Sequence, residues 1–137
     1  MNHNNVVMFI IMFISGLLSS MNIWVDKWSD IRWSLNDIYM ALLMNGWMFM
    51  LMGLYYFNYI HIIFGSILVI ISILAIRLQL FINIKQFAIG MIPHHSMAVF
   101  MSKKILTKNQ TLLEPLKALV LNIITTQEKE IDILKLV

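Results

Sequence analysis

Residues 38–76 read IYMALLMNGWMFMLMGLYYFNYIHIIFGSILVIISILAI, a run of 39 residues without one Asp, Glu, Lys or Arg. One bilayer crossing takes about 20 apolar residues, so this run is long enough for two. Its middle, Tyr55-Tyr56-Phe57-Asn58-Tyr59-Ile60-His61, gathers three tyrosines with an Asn and a His. That composition suits a turn at the water interface, where aromatic rings anchor.

Towards the N-terminus, Asp26, Lys27, Asp30, Arg32 and Asp37 form a charged cluster, and Met1 to Val25 carry no charge. The pattern predicts three transmembrane helices, near 6–25, 38–57 and 60–82. Arg77 lies in the last turns of the third, where a long side chain snorkels to the headgroups. The first segment lacks a basic start and is longer than the apolar core of a usual signal peptide, so it reads as a span. Trp24, Trp28 and Trp33 bracket the first loop as interfacial anchors.

Composition agrees. The chain has 137 residues, 60% hydrophobic and 12% charged, with a mean hydropathy of +0.79. It is too apolar for a freely soluble globule or a disordered chain. Cysteine is absent, which removes disulfides, thiolate metal sites and cysteine nucleophiles. Twelve methionines are the remaining soft sulfur donors, and methionine is also a common filler of apolar cores.

From Asn83 the character changes, with seven lysines against four acids over residues 83–137. Asn83 followed by Gln86 resembles a helix N-cap with its capping-box partner. A helix is predicted from there to about Leu106, kinked or restarted at Pro93. Thr107 to Thr111 forms the turn, and Pro115 suits the first turn of a second helix. Leu116, Leu119, Val120, Ile123, Ile124, Ile131 and Leu134 recur at helical period, marking one buried face. A hairpin this small buries little surface alone. The expected partners are the lipid bilayer and a second copy, making a homodimeric four-helix bundle through the C-terminal hairpin; no nucleic acid partner is expected.

The stretch Met91-Ile92-Pro93-His94-His95-Ser96-Met97-Ala98-Val99-Phe100-Met101 carries the candidate chemistry. At about 100° per residue, His94, Met97 and Met101 share one helical face, with Met91 on the adjoining strip and His95 directed elsewhere. Gln127 and Glu130 interrupt the apolar stripe of the second helix and are expected to meet His94. Imidazole plus thioether suits copper, especially Cu(I), and silver, with Gln127 or Glu130 orienting a ring from behind. The alternative is that the methionines fill a core and the histidines make structural hydrogen bonds. A catalytic His pair is the weaker third reading. No nucleophile or paired acid accompanies it, so no enzyme is expected. Met40, Met44, Met48 and Met52 form a slowly turning stripe read as helix or lipid packing.

With Met91-Ile92-Pro93-His94-His95-Ser96 and, downstream, Gln127-Glu128-Lys129-Glu130-Ile131, the C-terminal half resembles the "domain of unknown function 305" family, whose pattern is M-I-P-H-H and then Q-x-x-E-I. Tyr39-Met40-Ala41, the Tyr55–Asn58 turn and Arg77-x-Gln79 resemble its membrane-anchored branch. The resemblance implies a ferritin-like helical bundle and, for some members, copper or silver binding and tolerance through Met and His side chains; the motif residues it carries over are Met91, His94, His95, Gln127 and Glu130. The chain departs from the pattern at Leu134, where the family usually has Met. It also lacks the basic residues that relatives carry before the first helix and in the turn between the second and third. Lys27, Arg32, Arg77 and Lys85 place the hairpin in the cytoplasm by the positive-inside rule. The resemblance implies the reverse, an extracytoplasmic hairpin, and that is the orientation expected here.

Overall fold

The computed structural model describes residues 3–108 and 112–137; the expected turn at 107–111 lies partly outside them. Among the described residues the protein is all-helical, with no strand. Five α-helices follow in order: α1 (His3–Leu18), α2 (Leu35–Tyr55), α3 (Tyr59–Arg77), α4 (Ile84–Lys108) and α5 (Glu114–Leu134). Two 3₁₀ turns, Met21–Trp24 and Trp28–Asp30, lie between α1 and α2. Asn4–Trp24, Leu35–Tyr55 and Tyr59–Arg77 are each long and apolar enough to cross a membrane. The chain forms two compact units, one of residues 1–20 with 35–82, the other of residues 21–34 with 83–137.

In the first unit α2 and α3 pack through glycine notches. A methyl group on Gly46 would stand 2.8 Å from Val69 Cγ2 and 2.9 Å from the Val69 nitrogen. One on Gly65 would collide with the Met50 backbone nitrogen. Backbones this close maximise dispersion contact, which drives helix association where lipid is as apolar as leucine. Phe49, fully buried, centres an aromatic cluster, with ring centroids 5.2 Å from Phe64, 5.6 Å from His61 and 6.2 Å from Phe9. His61 also pairs with Asn5 at 2.9 Å, tying α3 to α1. Met40 and Met44 are exposed, while Ala41, Asn45 and Phe49 form the buried side of α2.

The C-terminal ends of α2 and α3 close without glycine at the left-handed position. The Asn58 nitrogen donates to the Gly53 carbonyl at 2.8 Å, and the Phe57 nitrogen to that of Leu54 at 3.4 Å. This is a Schellman motif with Phe57 in the left-handed position, φ 52°. The end of α3 repeats it, with Gln79 at φ 48° and the Leu80 nitrogen donating to the Ala75 carbonyl at 3.0 Å. A side chain at such a position costs on the order of 1–2 kcal/mol. At the α3 end the geometry is offset by Tyr39 Oη donating to the Leu80 carbonyl at 2.7 Å and Gln79 Nε2 to that of Ile76 at 2.7 Å.

The second unit is the expected hairpin with an addition. Asn83 Oδ1 accepts from the Gln86 nitrogen at 2.9 Å, capping α4 as its sequence implies. Pro115 sits in the first turn of α5. Pro93 does not restart α4, which runs unbroken from Ile84 to Lys108. The addition is residues 21–34, read from the sequence as a loop of the membrane region. They belong by contact to the hairpin unit. On α5 only Val120 and Ile131 of the seven stripe residues are buried; Leu116 and Leu119 are exposed.

Replacing Gly46 or Gly65 with Ala is expected to lower stability by about 1–3 kcal/mol, the usual cost of overpacking. Thermal unfolding in detergent micelles checks this, with the exposed Ser15→Ala expected to behave as wild type.

Candidate functional site

The positions that α4 buries decide where its histidines point. Ala88, Ile92, Val99 and Ser102 are buried, at spacings of four, seven and three. At about 100° per residue they define one stripe, and His95 falls inside it. His94, Met97 and Met101 fall on the opposite side. His94 is accordingly exposed and Met101 is 53% exposed. The expectation that His94 meets Glu130 while His95 points elsewhere is therefore reversed. His95 Nδ1 lies 2.8 Å from Glu130 Oε2, its side chain only 12% exposed. The two atoms are within ion-pair distance but not aligned as a hydrogen bond, so Nδ1 is a buried polar atom with no aligned partner. Gln127 Oε1 is another.

Around this pair is a cleft of about 240 Å³ lined by Phe87, Met91, His95, Glu130, Ile133 and Leu134. Of the sequence-derived candidates, Met91, His95 and Glu130 are thus brought together. Met101 lines a different groove. The two histidine rings stand 6.1 Å apart, nearly edge to face. Leu134 lines the same cleft as His95. Among the described residues no three His, Asp or Glu side chains gather as a metal-binding group. The ligating side chains that line the cleft are the His95 imidazole, the Met91 thioether and the Glu130 carboxylate.

A second cluster was not foreseen. Ser96, fully buried, donates its hydroxyl to Asp30 Oδ2 at 2.8 Å and accepts from the Asp26 nitrogen at 2.9 Å. Lys135, one residue beyond α5, donates to Asp30 Oδ1 at 2.6 Å. Lys103 bridges Asp26 Oδ2 at 2.8 Å and Glu128 Oε1 at 2.9 Å. The segment that supplies both aspartates is itself closed, since Asn22 and Arg32 exchange side-chain-to-backbone bonds of 2.8 and 2.9 Å. Gly90 lets Ser34 approach, with room for no more than a tight 3.3 Å contact to a Cβ.

Burial pushes the Asp30 carboxyl up. The hydrogen bonds from Lys135 and Ser96 and the charges of Lys135 and Lys27 outweigh this and hold it below its ordinary 3.8. Lys103 is held above its ordinary 10.5 by its bonds to Asp26 and Glu128, against burial. The one sequence signal for this cluster is the sign of the charge: acids at 26 and 30 in the loop, an excess of lysine in the hairpin.

Fold and site together define an all-helical protein with three helices apolar enough for a membrane and a helical hairpin carrying a histidine–glutamate pair. A family model described as "Domain of unknown function (DUF305)" matches residues 84–137, which is α4, α5 and the tail after them. An uncharacterized protein of Acanthamoeba polyphaga mimivirus is 42% identical over 138 residues, covering 96% of this chain and 90% of the viral protein. The chain belongs to the domain of unknown function 305 family. No solved structure matches it.

The acid limb of stability tests the buried cluster. The folded-state value of Asp30 lies below the unfolded one. Its stabilisation is therefore complete above about pH 4 and is lost as pH falls through the lowered value. Asp30→Asn is expected to cost about 1–3 kcal/mol at neutral pH and to flatten that limb. Denaturant titration in micelles at a series of pH values measures both, with exposed Asp132→Asn as the near-neutral control.

Proposed function

We propose that this is an integral membrane protein whose three apolar helices anchor the hairpin, and that the cleft between α4 and α5 binds a soft monovalent metal, Cu(I) or Ag(I). The observation that supports the reading is the placement of Glu130 against His95 Nδ1. A carboxylate at this distance needs only a rotation to accept from Nδ1–H, and in that alignment it fixes the tautomer and orientation of the ring and raises the basicity of the other nitrogen. That leaves Nε2 as the donor, with the Met91 thioether lining the same cleft. Nitrogen plus thioether is a soft, low-coordination set suited to Cu(I) and poorly suited to hard cations. Bound metal would serve handling or tolerance rather than turnover. The hairpin is assigned to the extracytoplasmic side, as the family resemblance implies.

A specific observation favours a second reading. Ser96, in the same run of sequence, holds a buried aspartate, so the motif also serves to assemble the unit. A purely structural or protein-interaction module would need no metal.

Metal titration of the full-length protein in micelles separates the two. One equivalent of Cu(I) or Ag(I) is expected to bind, with binding abolished in His95→Ala and Met91→Leu and retained in His94→Ala. Glu130→Gln is expected to weaken it by about 10- to 100-fold. Absence of uptake by the wild-type chain would leave the structural module.

For the hairpin's partner we propose a second copy, covering the exposed Leu116 (47%) and Leu119 (53%) of α5. Crosslinking at high micelle-to-protein ratio is expected to capture a dimer that Leu116→Glu with Leu119→Glu abolishes.

A further inference from the structure

A second groove of the hairpin unit lies away from the His95 cleft. It has a volume of about 660 Å³ and is lined by Trp24, Phe100, Met101, Ser102, Lys104, Ile105 and Lys108. That volume falls within the usual range for sites of small organic ligands, about 300–1,000 Å³. Its character is divided. Trp24, Phe100, Met101 and Ile105 make an apolar wall in which Trp24 and Met101 are each about half exposed, at 52% and 53%. Lys104 and Lys108, one helical turn apart, stand at its polar side. Neither has a carboxylate partner among the described residues, whereas neighbouring Lys103 is held by two. Lys104 Nζ lies 5.5 Å from the centre of the Phe100 ring, so the cation stands at the edge of the apolar wall.

An apolar trough with two uncompensated cations at one side complements one kind of molecule, an amphiphile with a hydrocarbon chain and an anionic head. Trp24 is also the last residue of the first candidate span, and tryptophan is enriched at the membrane–water interface.

We propose that this groove holds one acyl chain of an anionic phospholipid, with the phosphate of its headgroup on Lys104 and Lys108. The apolar wall replaces water along the chain, and the two ammonium groups supply charge-assisted hydrogen bonds to the phosphate oxygens. Zwitterionic phospholipid fits the trough but leaves the excess charge of the lysines unmet, so selection for anionic lipid follows. The proposal is independent of metal at His95.

The test uses the full-length protein in micelles, titrated with dioleoyl phosphatidylglycerol carrying brominated chains. Expected is saturable quenching of tryptophan fluorescence whose high-affinity part is lost in Trp24→Phe while the quenching of Trp28, Trp33 and Trp47 remains, with several-fold weaker binding of the matched phosphatidylcholine. Lys104→Gln with Lys108→Gln is expected to weaken binding of the anionic lipid by about tenfold. Lys85→Gln with Lys129→Gln, which removes the same charge elsewhere, is expected to change it little. Glycerol 3-phosphate alone is expected to bind far more weakly than the lipid. Equal losses in the two lysine pairs would mean attraction to the overall charge and would overturn the proposal. So would unchanged quenching in Trp24→Phe, or glycerol 3-phosphate binding as tightly as lipid. Crosslinks from Met101 to a second copy that added lipid fails to displace would assign the groove to self-association instead.

Discussion

The carboxylate of Asp30 is the group on which the hairpin unit depends. A buried charge is tolerated only when its desolvation is answered by donors in good geometry. Asp30 receives them from Ser96 on α4 and from Lys135 just past α5. One side chain of the 21–34 segment is thereby fixed to both arms of the hairpin. The second link, from Asp26 through Lys103 to Glu128, repeats the arrangement at greater exposure. Two helices joined by a turn cannot enclose a core alone. Here the third wall comes from a segment distant in sequence and held by polar contacts.

The other unit solves the opposite problem. Its helices are apolar on nearly all sides, so hydrophobicity cannot choose which faces meet. Gly46, Gly53 and Gly65 choose instead, because at these positions the backbones of α2 and α3 come close enough for dense packing. Phe49 fills the space beside them. Methionine at 40 and 44 faces away from this packing.

These constraints divide the labour of the Met91–Met101 run. Ile92, Pro93, Ser96 and Val99 are buried and hold the unit together. His95 sits in the same stripe but meets Glu130 at the edge of a cleft. His94 and Met101 point away from that cleft, and Met101 joins the groove beside Lys104 and Lys108. One short helical segment therefore faces three environments, and adjacent residues in it need not share a role.

The amino-acid sequence by itself determined the order of the helices and where α4 and α5 begin, whereas the expected spans 6–25 and 60–82 run past the observed ends of α1 at Leu18 and α3 at Arg77. Charge-free runs of bilayer length, the Asn83 cap and Pro115 in a first turn are local signals, acting within a few residues of one another. The pairing of the M-I-P-H-H and Q-x-x-E-I motifs across a hairpin was legible for the same reason: two helices this close in sequence are expected to be neighbours. Tertiary structure alone decided which histidine faces Glu130. Adjacent residues differ by about 100° around a helix, so the outcome hangs on which stripe is buried. The buried stripe of α4 holds serines at 96 and 102 that pattern reading treats as polar. Ser96 is buried because Asp30 needs its hydroxyl, and Asp30 comes from a segment 66 residues away. No local signal encodes a contact of that separation. The acidic loop and the lysine-rich hairpin carried its sign, and only the folded chain supplied its address.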